Sequence, residues 1–288
     1  MARVFLRALT KDYPSAPGRA NTELSLSRPA GGADSDGMLK IVKDSVLKMS
    51  RSLGYDIVPL RETRERDFAL HLGQLLSKLE IDCVFDVGAN VGQYRDFLRD
   101  QVLYRGPIVS FEPVTRHVEC LRDRARGDSD WHIEGYALGA EPGNLPINVM
   151  VSDQFSSFRE PDHSRLSHYD TLNVTDHVET VAVHTLDAIL PVLRKRLGFR
   201  RPYLKLDTQG FDLEVLRGGA ASLAGMLALQ TEASVIGVYK GSPSYTETIR
   251  YLEERGFDLT GLYTVSRDAS LRLIEFDCVM INRQSVLH

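Results

Sequence analysis

From Ile81 onward short apolar runs alternate with amphipathic ones, and this alternation constrains the fold more than any other feature of the chain. IDCVFDVG reads as a buried strand and GQYRDFLRDQVLY as a helix; PIVSFEP and VTRHVECLRDRA repeat the pattern. Strands that alternate with helices are joined by crossovers, so the sheet is mainly parallel with helices on both faces. Further strands are expected at WHIEGYAL, LPINVMV, VETVAVHTL, PYLKLDT and MLALQTEASV, with a helix at YTETIRYLEERG. RLIEFDCVMINR alternates enough to be an antiparallel edge strand. The expected fold class is doubly wound, Rossmann-like α/β.

Upstream of this region the reading changes. Residues 14–37 are rich in Pro, Gly, Ser and Ala, so 1–37 is expected to be a flexible leader. Residues 38–79 read as a helical extension. Leu39, Val42, Val46, Leu47 and Met49 share one face before a stop at Gly54, and Phe68, Leu72, Leu75, Leu76 and Leu79 form a second run. The folded domain is expected over 80–288. No run approaches the length of a membrane span or a signal-peptide core, and a net charge of −4 supplies no footprint for nucleic acid. Cys83, Cys120 and Cys278 are widely spaced and without a CxxC pair, and they read as reduced thiols of a cytoplasmic protein.

The first strand runs into VFDVGANVGQY. Gly88 and Gly92 give G-x-x-x-G, lacking the middle glycine with which a dinucleotide fold admits a pyrophosphate. Asp86 argues the same way, because a carboxylate is unfavourable beside a diphosphate and favourable beside an α-amino group or a sulfonium. S-adenosylmethionine carries both cations and no phosphate. Glu112, 24 residues beyond Gly88, is close to the offset at which an acid ending the second strand accepts from ribose hydroxyls.

VFDVGANVGQY, IVSFEPV, the AL of GYALGAEPG, VHTLDAIL and YLKLDTQGFDLEVLRGG resemble, in order and spacing, the FkbM family of S-adenosylmethionine-dependent methyltransferases, over roughly residues 80–283. The resemblance implies a class I methyltransferase fold with sheet order 3-2-1-4-5-7-6. It also implies methyl transfer to a hydroxyl of a sugar, a glycan or glycolipid, or a natural product. It places Asp86, Gly88, Ala89, Asn90 and Gly92 around the methionine end of the cofactor, with Tyr94 shielding it. Glu112 matches the ribose acid, with Pro113 shaping the adenine wall. Tyr136, Ala137 and Leu138 match the adenine-lining segment, and Ser156 and Ser157 the cofactor edge.

An acceptor hydroxyl becomes a competent nucleophile only as it loses its proton, so the chemistry requires a base and alignment. Asp207, at the carboxyl end of a buried strand, is the candidate general base, and Glu232 is expected beside it. Relatives often carry D-x-E-G where this chain has Asp207, Thr208, Gln209 and Gly210. The paired acids could ligate a divalent cation or position an acceptor; the second is favoured, because Gln209 lowers the ligand charge. Lys205 reads as a strand residue with a local partner. The loop 152–176 carries Ser156, Ser157, Arg159, His163, His168 and Tyr169, a set suited to a hydroxyl-rich acceptor. The alternatives are a nicotinamide-dependent oxidoreductase and a non-catalytic partner module. A homo-oligomer is compatible with any of these.

Overall fold

The computed structural model describes residues 45–46, 49–50, 63–164 and 173–285. Most of the first expected helix, together with His168 and Tyr169, lies outside them. The compact unit considered below is Arg64–His288.

Helix α1 (Thr63–Lys78) leads into β1 (Cys83–Val87). There follow α2 (Gln93–Phe97), β2 (Ile108–Phe111), α3 (Thr115–Ala125), β3 (Trp131–Glu134), β4 (Ala137–Leu138), β5 (Gly143–Met150) and β6 (Thr175–His184). The chain continues through α4 (Leu186–Leu197), β7 (Pro202–Leu206), α5 (Asp212–Arg217), β8 (Ala228–Ser234), α6 (Tyr245–Glu253), β9 (Phe257–Arg267) and β10 (Leu273–Asn282). Seven strands form one sheet in the order β3-β2-β1-β7-β8-β10-β9. Counting only strands of this sheet, that is 3-2-1-4-5-7-6, the class I methyltransferase order. Pairings from β3 to β8 are parallel, and β10 is antiparallel to both of its neighbours.

Local sequence explains where the elements begin and end. Thr185 caps α4 by accepting from the Ala188 amide, and Gly198 ends it in the left-handed region at φ 75°. Ser244 and Glu247 form a reciprocal capping box at the start of α6. On one face of the sheet, α1 buries Leu72, Leu75 and Leu76 against Val84, Ile108, Tyr203 and Ala228. On the other, Leu186, Leu190 and Leu193 of α4 pack on Phe85, Val109 and Leu204. Both faces are covered, which is why β1 and β7 are fully buried and apolar apart from Asp86 and Lys205.

Four expectations need correction. The C-terminal strand β10 is antiparallel as expected but is not at the edge: it lies between β8 and β9. Burial on both sides accounts for its run of Phe276, Cys278, Val279 and Met280. The edge strand is β9, whose FDLTGLYTVSR is too polar on its outward side to stand out as a strand. WHIEGYAL is two strands rather than one, because the chain leaves the main sheet between β3 and β4 and enters a second sheet of order β4-β6-β5. Within 152–176, Asp153–Phe155 form a 3-10 turn, Ser157 bridges to Asn148, and Thr175 already begins β6.

Candidate active site

Strand register stacks side chains into rows on the α1 face. Trp131, Ile108, Val84, Tyr203, Ala228 and Ile281 lie opposite one another across six strands and form an apolar floor. One pleat period toward the carboxyl ends, the row is Ile133, Ser110, Asp86, Lys205, Gln230 and Val279. One period further, β2, β1, β7 and β8 deliver Glu112, Gly88, Asp207 and Glu232, with Asp277 of β10 opposite Glu232. A period of two places all these polar groups on one face, above the floor.

The middle row is a buried polar network. Asp86 is 0% exposed; its Oδ1 accepts from Lys205 Nζ at 2.9 Å and its Oδ2 from Ser110 Oγ at 3.1 Å. Ser110 in turn accepts from Trp131 Nε1. Burial pulls the Lys205 ammonium down, but the carboxylates of Asp86 and Asp207 outweigh it and hold it above the ordinary lysine range. Lys205 therefore has the local partner expected of it. Tyr94 lays its ring 5.1 Å from Lys205 Nζ and donates to Gln230, whose amide donates to Asp277. These contacts turn Tyr94 toward the sheet, over the ion pair. Both oxygens of Asp86 are engaged within the protein, and its charge is paired with Lys205 there.

Above this network sits the glycine turn. Gly88 (φ 80°), Asn90 (φ 49°) and Gly92 (φ 90°) are left-handed, and a Cβ on Gly88 would lie 1.9 Å from the Asp207 carbonyl oxygen. Glycine at 88 is thus required by both conformation and space. The Gly88 and Ala89 amides donate to Phe111 O. Glu112 accepts from the Asn90 amide through Oε2 at 2.8 Å and from the Val114 amide through Oε1 at 2.9 Å, tying the ends of β1 and β2 together. Asn90 Oδ1 accepts from Gln93 Nε2 and the Val91 amide.

Next to the turn, Asp207 is 39% exposed at its side chain and lies 3.6 Å from Lys205 Nζ. Gln209 bridges the two acids, donating through Nε2 to Asp207 Oδ1 at 2.9 Å and to Glu232 Oε2 at 3.3 Å. Asp212 locks the strand ends by accepting from the Thr208 amide and hydroxyl, Thr231 Oγ1 and the Glu232 amide. Burial, with the charges of Glu275 and Asp207, raises the Glu232 carboxyl well above the usual carboxylate range. Burial likewise lifts Glu275 and Asp277 to about 7. Among the described residues no cluster of three or more His, Cys, Asp or Glu side chains is arranged to hold a metal ion.

The remaining expected residues frame this centre. Pro113 is half-buried beside Glu112. Tyr136 packs edge-on against Phe111 and His184, whereas Ala137 and Leu138 are buried in the interior and offer almost no surface. Ser156 Oγ accepts from the Met150 amide. Ser157 Oγ donates to Gln209 O, and Arg159 Nε donates to Gly210 O. The segment is thereby pinned to the Gln209–Gly210 turn. His163 is exposed. Sequence reasoning missed Ser110, Asp212, Gln230, Tyr239, Glu275 and Asp277. Several carried one signal: a polar residue at alternate positions of an otherwise apolar strand.

The site's charges fit S-adenosylmethionine better than a diphosphate. Glu112 and Asp207 stand at the turn, while the cations beside it, Lys205 and Arg124, are paired with Asp86 and Asp96. The remaining negative charge thus lies in the row above Asp86, at Glu112 and Asp207. The turn and the Glu112 carboxylate would hold the cofactor; when bound, it supplies an electrophilic methyl group on a sulfonium.

The model of the methyltransferase FkbM domain matches residues 86–259, more than half of the chain. No curated protein is similar enough in sequence to count as a relative. Among solved structures, methyltransferase FkbM from Methylobacillus flagellatus KT is 15% identical with a TM-score of 0.45, over 69% of this chain and 44% of that one. The chain thus spans less than half the length of that relative. Fibrillarin from Aeropyrum pernix, in complex with natively bound S-adenosyl-L-methionine, is 13% identical with a TM-score of 0.40, over 76% of each chain. Likeness this distant transfers no residue roles. The matched span takes in the glycine turn, Glu112 and the Asp207 loop, and by this match the chain belongs to the FkbM family of S-adenosylmethionine-dependent methyltransferases.

Proposed function

We propose that the protein is an O-methyltransferase that methylates a hydroxyl of a sugar, a glycan or glycolipid, or a natural product. The observation that carries this reading is Asp207: an accessible carboxylate at the end of β7, beside the glycine turn, whose backbone amide donates to Val87 O. Position comes before acidity in choosing a general base, and Asp207 is the exposed member of its carboxylate pair. It takes the hydroxyl proton as the acceptor oxygen bonds to the methyl carbon. S-adenosylmethionine, held by the glycine turn and Glu112, would supply the methyl group and keep the electron pair of the departing bond on its sulfur. Glu232, whose carboxyl burial and the neighbouring acids push well above the usual carboxylate range, stands beside Asp207 across the Gln209 amide and orients the acceptor. Pro113, Tyr136 and the buried pair Ala137 and Leu138 form the adenine side in this reading, and Ser156 and Ser157 the cofactor edge.

The test is transfer of a radiolabelled methyl group from S-adenosylmethionine to hydroxyl-bearing glycans and natural products. Asp207→Asn is expected to lower the rate by about two to four orders of magnitude while S-adenosylhomocysteine affinity stays the same. Unchanged transfer by the variant would remove Asp207 as the base.

A further inference from the structure

Gln209 is held more tightly than a loop residue needs to be. Its backbone is left-handed at φ 52° and is followed by Gly210 at φ 83°, a strained conformation for a residue with a side chain. Ser157 Oγ donates to its carbonyl at 2.7 Å, and Arg159 Nε donates to the Gly210 carbonyl at 2.8 Å. At the other end of its side chain, Tyr239 OH lies 2.8 Å from Gln209 Oε1 and 2.9 Å from Phe155 O. The single hydroxyl proton is shared between two acceptors. The amide orientation follows from its neighbours. With Oε1 on Tyr239, both hydrogens of Nε2 point at carboxylate oxygens, one on Asp207 and one on Glu232. The flipped amide would set Oε1 against two acids.

Two carboxylates that share one neighbour can be bridged by a cation or by a hydrogen-bond donor. Here a neutral NH2 group stands between them, donating to both, at the point where a cation bridging the two carboxylates would have to sit. We propose that Gln209 is a positioning residue: it holds Asp207 and Glu232 at one acceptor hydroxyl, and its Nε2 occupies the point a divalent cation would take. Gln209→Glu then turns an amide-bridged pair into a three-carboxylate cation site. The role in methyl transfer rests on the reading of Asp207 and Glu232 given above; the bridge itself does not.

The test uses the full chain and Mn2+ followed by electron paramagnetic resonance, alongside S-adenosylhomocysteine calorimetry. Q209E is expected to bind Mn2+ roughly tenfold more tightly than the unmodified protein or better. Asp207→Asn added to Q209E is expected to abolish that gain. Equal Mn2+ binding by the unmodified protein, lost on Asp207→Asn, would overturn the proposal. So would a Q209E protein that keeps its cofactor affinity yet binds Mn2+ no better. A second variant does not depend on Q209E folding. Gln209→Met keeps the length of the side chain and removes both donors, so the Glu232 carboxyl, followed by carbon-13 NMR, should titrate at still higher pH. An unchanged titration would overturn the bridge. Loss of cofactor binding by the unmodified protein, with the Mn2+ and titration results intact, would instead sink the methyltransferase reading and leave the bridge standing.

Discussion

Asp86 and Lys205 form an ion pair closed off from water, 2.9 Å apart and roofed by Tyr94. Removing one partner leaves a buried charge without compensation, so Lys205→Met is expected to cost about 3–5 kcal/mol in urea unfolding. Adding Asp86→Asn should recover most of the loss. If the single variant is neutral, the pair is not the anchor described here. Asp277 and Glu275 make the opposite kind of statement. Their folded values, about 7, lie above the ordinary 3.8 and 4.5, so the folded chain binds more protons than the unfolded one between those limits. The contribution of these two groups to stability is therefore fully present below about pH 4 and is lost as pH rises toward 7. Asp277→Asn should flatten part of that slope in thermal melts recorded across this range, and an unchanged slope would place the titration elsewhere.

At the scale of elements, the site is a junction of strand ends held by backbone contacts. Gly88 sits against the Asp207 carbonyl, and the Asp207 amide returns a hydrogen bond to Val87 O. Gly88→Ala drives a methyl group into that carbonyl, so β1 and β7 must separate. It is expected to weaken S-adenosylhomocysteine binding by about tenfold or more, with the fold retained in circular dichroism. Unaltered affinity would show that the turn does not need this close approach. The same junction explains what could be read from the sequence. The motif from β1 into α2, Glu112 and the Asp207 loop is local, with each residue's role tied to its place at a strand end. Asp277 is local to nothing: it reaches the site because β10 inserts between β8 and β9. Asp86 was legible in position but its partner was not, since Lys205 is 119 residues away and is set beside it by strand pairing. The edge strand β9 and the break between β3 and β4 escaped for a related reason, because periodicity does not say which sheet a strand joins.

Across the whole molecule, a two-faced sheet supports one functional edge. The cores formed by α1 and α4 clamp opposite faces of β1 and β7, and the row of polar groups rises from that floor at the carboxyl ends, where open α/β sheets take their ligands. No helix among the described residues is long and apolar enough to cross a membrane. The central claim is that this edge holds S-adenosylmethionine through the glycine turn and Glu112, with an excess of acid that repels a diphosphate. Calorimetric titration of the full chain with S-adenosylhomocysteine and with NAD tests it most directly. The account predicts saturable binding of S-adenosylhomocysteine, weakened about tenfold or more in Glu112→Ala, and no binding of NAD. Binding of NAD in preference to S-adenosylhomocysteine, or S-adenosylhomocysteine affinity untouched by Glu112→Ala, would contradict it.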